Sequence, residues 1–428
     1  MSSPQLRNCA LKPQLTSIVL GKGGSGATVY FGRLNGRNSE FRIVAMKRKF
    51  QKSREGDVAE DESQLLEAVS SDDQLHVVKH FGTYRHGCYT TIALELLHSD
   101  LSHELKYFSR VGWDHGERTI FPIAMIRLVL RSVLLGLCHT HDKGVVHRDV
   151  KPSNIFLRKA AESNLVECVL ADFSAGHFID GSKSTIPDFA LHQRGTRYYQ
   201  SPECLLGRIQ RHLVWSADIW GVGCVMYELA LGVPPFAGGS AVEMLHVIFQ
   251  RLNSSFADFP LSQGRGSLIS QLESVLSSDS LDFLELLLHP DPSRRPTARE
   301  ALCHRFFDAT SRNAGIEWPA SPGYELPRPT DSSFFDLQAY HLGFTGSVFE
   351  NIHHPQTCLD DSRLAGSKGI TLSAHRHNER ENYPKSTDPE NSIARHRSAT
   401  GLFSDLSSSA KKDQEDSPAC DAALQLFY

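Results

Sequence analysis

The stretch His147-Arg148-Asp149-Val150-Lys151-Pro152-Ser153-Asn154 carries the densest chemistry in this chain of 428 residues. It places a carboxylate at Asp149, an ammonium group two residues later at Lys151 and an amide five residues later at Asn154. A positioned carboxylate can accept a proton, a lysine can neutralise negative charge on a reacting group, and an amide oxygen can hold Mg²⁺. The spacing therefore predicts a catalytic loop in which the three side chains act on one charged substrate.

A lysine at the end of a predicted strand is the next candidate. The run from Phe41 to Lys47 is apolar and β-prone and is flanked by polar residues, which is typical of a strand. A lysine on a strand is an ordinary surface cation unless a carboxylate fixes its ammonium group. Glu62 is the predicted partner, because apolar residues at helical spacing over 62–69 turn inward and leave Glu62 facing the cleft.

Glu55, Glu60 and Glu67 compete with Glu62 for this role. Glu60 is the strongest competitor, because a shift of the helix register by a few residues would bring it to the same position. The sequence predicts Glu62 and leaves Glu60 open.

The segment Leu20-Gly21-Lys22-Gly23-Gly24-Ser25-Gly26 is rich in glycine and lies between two strand-like runs. Glycine lets a backbone approach phosphate groups closely and offer them N–H groups. Dinucleotide-binding turns have a similar glycine-rich sequence, but a helix follows them. Here a second strand follows, so the segment is predicted to be a hairpin over phosphates. Thr28 and Val29 are the two candidates for its apolar roof.

Asp172 follows an apolar run and lies 23 residues after Asp149. That separation leaves room for two short strands and a hairpin. Phe173 and Ser174 come next, so the local string is Asp-Phe-Ser.

Together these motifs resemble those of eukaryotic protein kinases over most of the first three quarters of the chain. The resemblance implies an α+β, bilobal fold, with a small antiparallel β-sheet lobe over 15–97 and a larger α-helical lobe over 98–307. ATP is expected in the crevice between them. Lys151, two residues past Asp149, is typical of serine/threonine kinases.

The resemblance also implies roles for single residues. Asp149 accepts the proton of the substrate hydroxyl, and Lys151 neutralises charge on the transferred phosphoryl group. Lys47, held by Glu62, reaches the α- and β-phosphates. Mg²⁺ is held by Asn154 and Asp172. The implied nucleotide-contact residues are Leu20, Gly21, Lys22, Gly23, Gly24, Ser25, Gly26, Val29, Ala45, Lys47, Glu95 and Leu97.

Further landmarks of these kinases are structural. Thr196 matches a threonine that bonds to the catalytic loop, Asp218 an aspartate that supports that loop, and Glu203 and Arg295 a buried pair. Glu95 to Leu97 match the hinge that bonds adenine, with Leu94 at the back of the pocket. Ser174 departs from the family, which carries glycine there. Its Cβ narrows the allowed backbone space, but the metal ligand is Asp172, so loss of activity does not follow.

Three segments resemble the cyclin-dependent kinase group: 96–101, 195–203 and 246–252. The helix around Glu62 lacks the Pro-Ser-Thr-Ala-Ile-Arg-Glu string that binds cyclin, Gln200 replaces an arginine of proline-directed relatives, and the insert after 249 is short. Leu191 stands where counting back from Thr196 puts the phosphorylated threonine. The chain is thus similar to the single-subunit fungal kinases that activate cyclin-dependent kinases.

Its expected partner is a protein substrate, with a cyclin-dependent kinase as the candidate, and a monomer is expected. An ordinary cyclin- or phosphorylation-regulated kinase and a pseudokinase scaffold, suggested by Ser174 and the irregular glycine segment, are the alternatives.

Composition sets outer bounds. A net charge of −4 argues against a nucleic-acid-binding protein, and the nine cysteines lack the Cys-x-x-Cys spacing of a zinc ribbon. No uninterrupted apolar run reaches the ~18 residues of a membrane span, and the first twelve residues lack the apolar core of a signal peptide. We expect no membrane partner and a location in the cytoplasm, the nucleus or both. Residues 1–14 are an expected extension, and 308–428, poor in apolar periodicity, an expected low-complexity, largely disordered tail.

Overall fold

The computed structural model describes the chain in separate stretches, all within one of its compact units. These stretches are residues 12–23, 26–36, 41–50, 62–71, 73–111, 119–159, 166–179, 196–253, 267–308 and 318. Most of the predicted N-terminal extension lies outside them. Of the predicted tail, only Asp308 and Trp318 are described, so its disorder remains a prediction.

The N-terminal lobe is built on a five-stranded antiparallel sheet in the order β1-β2-β3-β5-β4. Its strands are β1 (Lys12–Lys22), β2 (Thr28–Asn35), β3 (Phe41–Phe50), β4 (His80–His86) and β5 (Tyr89–Glu95). β1 starts before the predicted domain start at 15, because Lys12 pairs with Asn35 at the far end of β2.

One helix, α1 (Glu62–Val69), accompanies this sheet. Its buried apolar residues are Leu65, Leu66 and Val69, the three that the sequence turned inward. α1 packs on the segment after Asp172: a Cβ added to Gly176 would lie 3.0 Å from Leu65 Cδ1. The carboxylates of Glu62, at the start of α1, and of Asp172 are therefore held on the same side of the cleft.

The C-terminal lobe is mostly helical. Its helices are α2 (Leu101–Val111), α3 (Ile123–Asp142), α4 (Pro202–Leu205), α5 (Ser216–Leu231), α6 (Ala241–Leu252), α7 (Ser267–Leu272), α8 (Ser278–Leu287) and α9 (Ala298–Leu302). Their ends follow local rules. Ser240 accepts the N–H of Glu243 at the start of α6, and Thr297 and Glu300 form a reciprocal capping box on α9. A sheet lobe followed by a helical lobe is the predicted α+β architecture.

α3 is the central helix of this lobe. Among the described helices it is the one long and apolar enough to cross a membrane by length and composition, and 61% of its most apolar window is buried inside the protein. Apolar residues such as Val129, Leu130 and Leu134 are fully buried in the lobe's core, so packing accounts for its composition. The apolar face of α3 is therefore a core contact.

Short strands frame the catalytic residues. β7 (Val145–Val146) pairs with β10 (His177–Phe178), and β8 (Ile155–Lys159) lies between β6 (Ser99–Asp100) and β9 (Val166–Leu170). The loop 147–154 connects β7 to β8, and β8 and β9 form the antiparallel hairpin predicted between Asp149 and Asp172. Both aspartates thus emerge from strand ends beside each other.

Candidate active site

Lys47 lies at the centre of a three-residue charge cluster. Its Nζ atom is 2.7 Å from Glu62 Oε1 and 2.7 Å from Asp172 Oδ1. Of the competing carboxylates, Glu67 is exposed on the outer face of α1, whereas Glu55 and Glu60 lie outside the described residues. The structure therefore brings Lys47 together with Glu62, the partner chosen from the helical spacing.

Burial and charge oppose each other in this cluster. Burial raises the pKa of Glu62 despite the nearby Lys47. Burial alone would lower the pKa of Lys47, but the charges of Glu62 and Asp172 raise it overall. Burial would also raise the pKa of Asp172, yet the charge and hydrogen bond of Lys47, with hydrogen bonds from Ser174, hold it below its usual range. Lys47 is thus held as a cation and Asp172 as an anion at neutral pH.

The Asp-Phe-Ser string adopts a specific backbone conformation. Asp172 has φ 62°, in the left-handed region, and accepts the N–H of Ser174 at 3.3 Å. Phe173 is fully buried and lies edge-on to His147, with 4.8 Å between ring centroids. Within the described residues, non-glycine residues with positive φ are Arg148, Asp172 and Asn253. Ser174 therefore lies in an ordinary region, and its Cβ causes no strain in this arrangement.

The catalytic loop holds Asp149 by several donors. Lys151 Nζ lies 2.6 Å from Asp149 Oδ2, and the backbone N–H of Thr196 donates to Oδ1 at 2.7 Å. The amide of Asn154 donates to the backbone oxygen of Asp149 at 2.8 Å and to Oδ2 at 3.0 Å. Lys151 also donates to the Thr196 hydroxyl. The three side chains predicted to act together are thus in direct contact.

Asp218, fully buried at the start of α5, supports the catalytic loop through its backbone. It accepts the backbone N–H groups of His147 at 2.9 Å and Arg148 at 2.6 Å. His141 Nε2 lies 2.8 Å from Asp218 Oδ2, the oxygen that also accepts the N–H of His147; the sequence did not predict this contact. The close approach needs Gly221, where a Cβ would come within 2.8 Å of Val150 Cβ.

A cleft between the lobes collects most of the predicted nucleotide-contact residues. Its lining includes Leu20, Gly21, Lys22, Gly23, Val29, Ala45, Lys47, Glu95 and Leu97, together with Asn154 and Asp172. Gly26 does not line it, and Gly24 and Ser25 lie outside the described residues. Of the two roof candidates, Val29 lines the cleft and Thr28 does not.

Some cleft residues were not predicted. Val78, Asp100, Phe156 and Ala171 also line the cleft. Phe156 lies two residues after Asn154 and Ala171 directly before Asp172, and this nearness in the sequence to predicted site residues was the available signal. Val78, from the connection between α1 and β4, carried no such signal.

The hinge has an anchor that sequence reasoning missed. Arg158 on β8 holds the carboxylate of Glu95 with two hydrogen bonds, Nε to Oε1 at 2.6 Å and Nη2 to Oε2 at 2.7 Å. Its third nitrogen, Nη1, donates to Glu167 at 2.9 Å and to the backbone oxygen of Leu75. One guanidinium thus joins the hinge, β9 and the connection after α1.

Two side chains that line this cleft carry oxygen atoms suited to bind Mg²⁺. Asn154 and Asp172 offer an amide oxygen and an ionised carboxylate, and Mg²⁺ favours one or two such ligands with phosphate oxygens completing its shell. No group of three or more His, Cys, Asp or Glu side chains in the described ranges is arranged to hold a metal, and a site of this kind does not require one. When bound, the ion supplies neutralisation of phosphate charge.

Glu203 and Arg295 form the predicted structural pair. Arg295 Nη1 and Nη2 lie 2.7 Å and 2.9 Å from the two Glu203 oxygens. The guanidinium also donates to the backbone oxygens of His289, Ser216 and Pro290, and lies over the Trp220 ring at 4.9 Å. The segment that leads into Glu203 is described only from Thr196, so Leu191 and Gly195 lie outside the described residues.

Comparison with known proteins agrees with this geometry. The model of the protein kinase domain matches residues 16–307. Cyclin-dependent kinase 20 of Homo sapiens is 28% identical over 327 residues, covering 73% of this chain and 86% of the relative. Cyclin-dependent kinase B2-1 of Oryza sativa is 31% identical over 292 residues, covering 63% and 83%. Serine/threonine-protein kinase crk1 of Schizosaccharomyces pombe is 29% identical over 327 residues, covering 72% and 84%.

The fold, the charge cluster around Lys47 and the contacts that hold Asp149 lead to the same conclusion as these matches. The predicted fold class and the predicted enzyme class are confirmed. The chain belongs to the protein kinase family and is a serine/threonine-protein kinase of the cyclin-dependent-kinase-like type.

Proposed function

We propose that this kinase works as a single subunit and activates cyclin-dependent kinases by phosphorylating the threonine of their activation loop. The observation that carries the proposal is the 2.7 Å ion pair between Lys47 and Glu62, formed within one chain. In regulated kinases, phosphorylation and helix position control whether this pair forms. Here the pair is formed in the chain taken alone, without a cyclin, and this supports catalytic groups that are in place in the monomer.

The sequence adds support for independence from cyclin and from activation-loop phosphate. The helix that carries Glu62 lacks the cyclin-binding string, and its inward face is already buried by the kinase's own residues. Leu191, outside the described residues, cannot accept a phosphate at the position expected for the regulatory threonine.

The chemistry follows from the contacts of the catalytic loop. The hydroxyl oxygen of a serine or threonine substrate forms a bond to the γ-phosphorus of ATP, the bond to the departing ADP breaks, and the hydroxyl proton passes to Asp149. Lys151 and the N–H of Thr196 fix the Asp149 carboxylate from two sides. Lys47 binds the α- and β-phosphates, so the γ-phosphoryl group is directed at the hydroxyl.

Phosphate transfer to a purified cyclin-dependent kinase tests the proposal. The bacterially expressed, phosphatase-treated kinase, without cyclin, should phosphorylate the activation-loop threonine at a rate close to that of the untreated protein. Two controls accompany it: the Asp149→Asn variant of the kinase, and a substrate whose activation-loop threonine is replaced by alanine.

Three outcomes would contradict the proposal. Activity that appears only with a cyclin, or only after phosphorylation of Ser182, Ser184 or Thr185, would make the chain an ordinary regulated kinase. Activity on a peptide library but not on cyclin-dependent kinases would identify another substrate class. Binding of a partner without transfer to any protein or peptide would favour a scaffold.

A further inference from the structure

Trp318 lies eleven residues beyond Phe307, where the match to the protein kinase domain ends, yet it is buried in the C-terminal lobe. Its side chain is 5% exposed, and its ring lies 5.8 Å from that of Phe121 between centroids. Phe121 is fully buried and contacts Phe108 of α2 edge-on at 5.3 Å. An aromatic ring with this burial removes ~200 Å² of surface from water, which is a substantial contact for a residue outside the catalytic domain.

The indole N–H of Trp318 also has a hydrogen-bond partner. Its Nε1–H donates to Glu104 Oε2 at 3.0 Å. Glu104 lies on α2 and is fully buried, and its other oxygen accepts the Ser99 hydroxyl at 2.5 Å. A buried carboxylate is unfavourable unless donors satisfy its oxygens, and here one of those donors comes from the segment after the kinase domain. Glu104 is therefore part of a receptor for an indole group.

The number of residues between Phe307 and Trp318 is sufficient for this contact. The end of the domain is fixed on α3, where Arg127 donates to the backbone oxygen of Phe306 and Arg131 to that of Phe307. Phe121 lies just before α3, about 15 Å back along a helix from that point. The residues between Phe307 and Trp318 can span up to roughly 35 Å, which is more than enough.

We propose that Trp318 acts as an intramolecular strap, whose indole docks between Phe121 and Glu104 and thereby stabilises α2. Ser99, which shares the Glu104 carboxylate, lies two residues after Leu97 of the nucleotide cleft. The strap therefore acts on the part of the C-terminal lobe that continues directly from the hinge. The functional kinase unit extends to at least residue 318.

Substitutions in the full-length protein test the strap. Trp318→Ala should lower the midpoint of thermal unfolding by about 5 °C or more. It should also speed amide hydrogen exchange in α2 and leave exchange in α9 unchanged. Phe334→Ala, another aromatic residue of the tail, is the matched control and should behave like the wild-type protein in both measurements.

Milder variants test the hydrogen bond itself. Trp318→Phe keeps an aromatic ring and loses the N–H, and Glu104→Gln keeps an acceptor and loses the charge. If the bond exists, the loss in unfolding midpoint of the double variant should be smaller than the sum of the two single losses. A synthetic peptide of residues 312–324 should restore the midpoint of the Trp318→Ala protein, and the same peptide with alanine at 318 should not.

The strap is overturned if Trp318→Ala and Phe334→Ala both match the wild-type protein in unfolding midpoint and in α2 exchange. It is also overturned if the losses of Trp318→Phe and Glu104→Gln simply add and neither peptide raises the midpoint.

Discussion

Two ion pairs of the molecule have the same chemistry but very different surroundings. Lys47 on β3 and Glu62 on α1, both in the N-terminal lobe, meet through one 2.7 Å contact, and Lys47 divides its ammonium group between Glu62 and Asp172. Arg295 and Glu203 meet through two parallel contacts, and three backbone oxygens and the Trp220 ring surround the guanidinium. A bidentate arginine is fixed in geometry, whereas a lysine is a point charge that can exchange partners. The comparison separates a pair that maintains the fold from a pair that can respond to a substrate.

Breaking the C-terminal pair should have the largest effect on stability. Arg295→Ala leaves the Glu203 carboxylate buried without its partner, so the free energy of unfolding should fall by about 3–5 kcal/mol. Urea denaturation measures this. The exposed Arg299→Ala is the matched control and should change the value by less than about 1 kcal/mol. Equal losses for both variants would show that the buried pair is not a structural anchor.

Weakening the cleft pair should reduce catalysis and spare the fold. Glu62→Gln keeps a hydrogen-bond acceptor for Lys47 but removes the charge that fixes its position, so kcat/KM should fall by roughly 10²-fold. Glu67→Gln, on the exposed face of the same helix, is the control and should keep full activity. If Glu62→Gln unfolded at a much lower urea concentration than the control, the cleft pair would be structural too.

The cleft pair should also respond to acid. Burial alone would raise the folded pKa of Asp172, but the charge of Lys47 lowers it below its unfolded value. Its contribution to stability is therefore present above its unfolded pKa of about 3.9 and is lost as pH falls through the lower folded value. In Lys47→Met the charge that causes this depression is gone, so the stability of the wild-type protein relative to the variant should grow as pH rises through about 3.9.

The contribution of Asp218, whose pKa is also lowered against burial by His141 and the backbone of His147, is common to both proteins and cancels in this difference. Urea titrations across the pH range supply the data. A stability difference that stays constant over the whole range would mean that Lys47 does not hold Asp172 ionised.

Ser174→Gly should have the smallest effect. Ser174 adopts an ordinary backbone conformation here, so glycine removes no strain and adds freedom mainly to the unfolded chain. We expect a loss of about 0.4–1 kcal/mol in the free energy of unfolding and nearly unchanged kcat. Inhibitors that need Asp172 and Phe173 rotated should bind the variant more tightly, because glycine widens the accessible backbone space. Equal inhibitor affinities for the two proteins would show that Ser174 does not bias this rotation.

The sequence predicted most of what lies near its motifs. The α+β architecture followed from the resemblance of the motifs to those of protein kinases, and the pairing of Lys47 with Glu62 followed from which residues of α1 turn inward. Contacts between distant segments were not predictable in this way. Arg158 and Glu95 are 63 residues apart, and neither belongs to a periodic pattern that points to the other.

The burial of Trp318 was also not predictable from the sequence. A low-complexity composition hides a single buried residue, because an average over a window says nothing about one aromatic ring that fits one receptor. The roof of the cleft was decided by pairing: Val29 faces Lys47 across the β2–β3 ladder, and only the observed register identifies which of two neighbours points inward.

The fork of Arg158 on Glu95 determines where the two lobes can pivot. Opening of the cleft requires rotation about the hinge, and the side chain of a hinge residue is fastened to β8 of the C-terminal lobe by two hydrogen bonds. The same guanidinium also donates to the backbone oxygen of Leu75, in the connection after α1. The hinge is therefore tied to the C-terminal lobe and is not a free linker. We therefore expect opening of the cleft to move the glycine-rich hairpin more than the hinge.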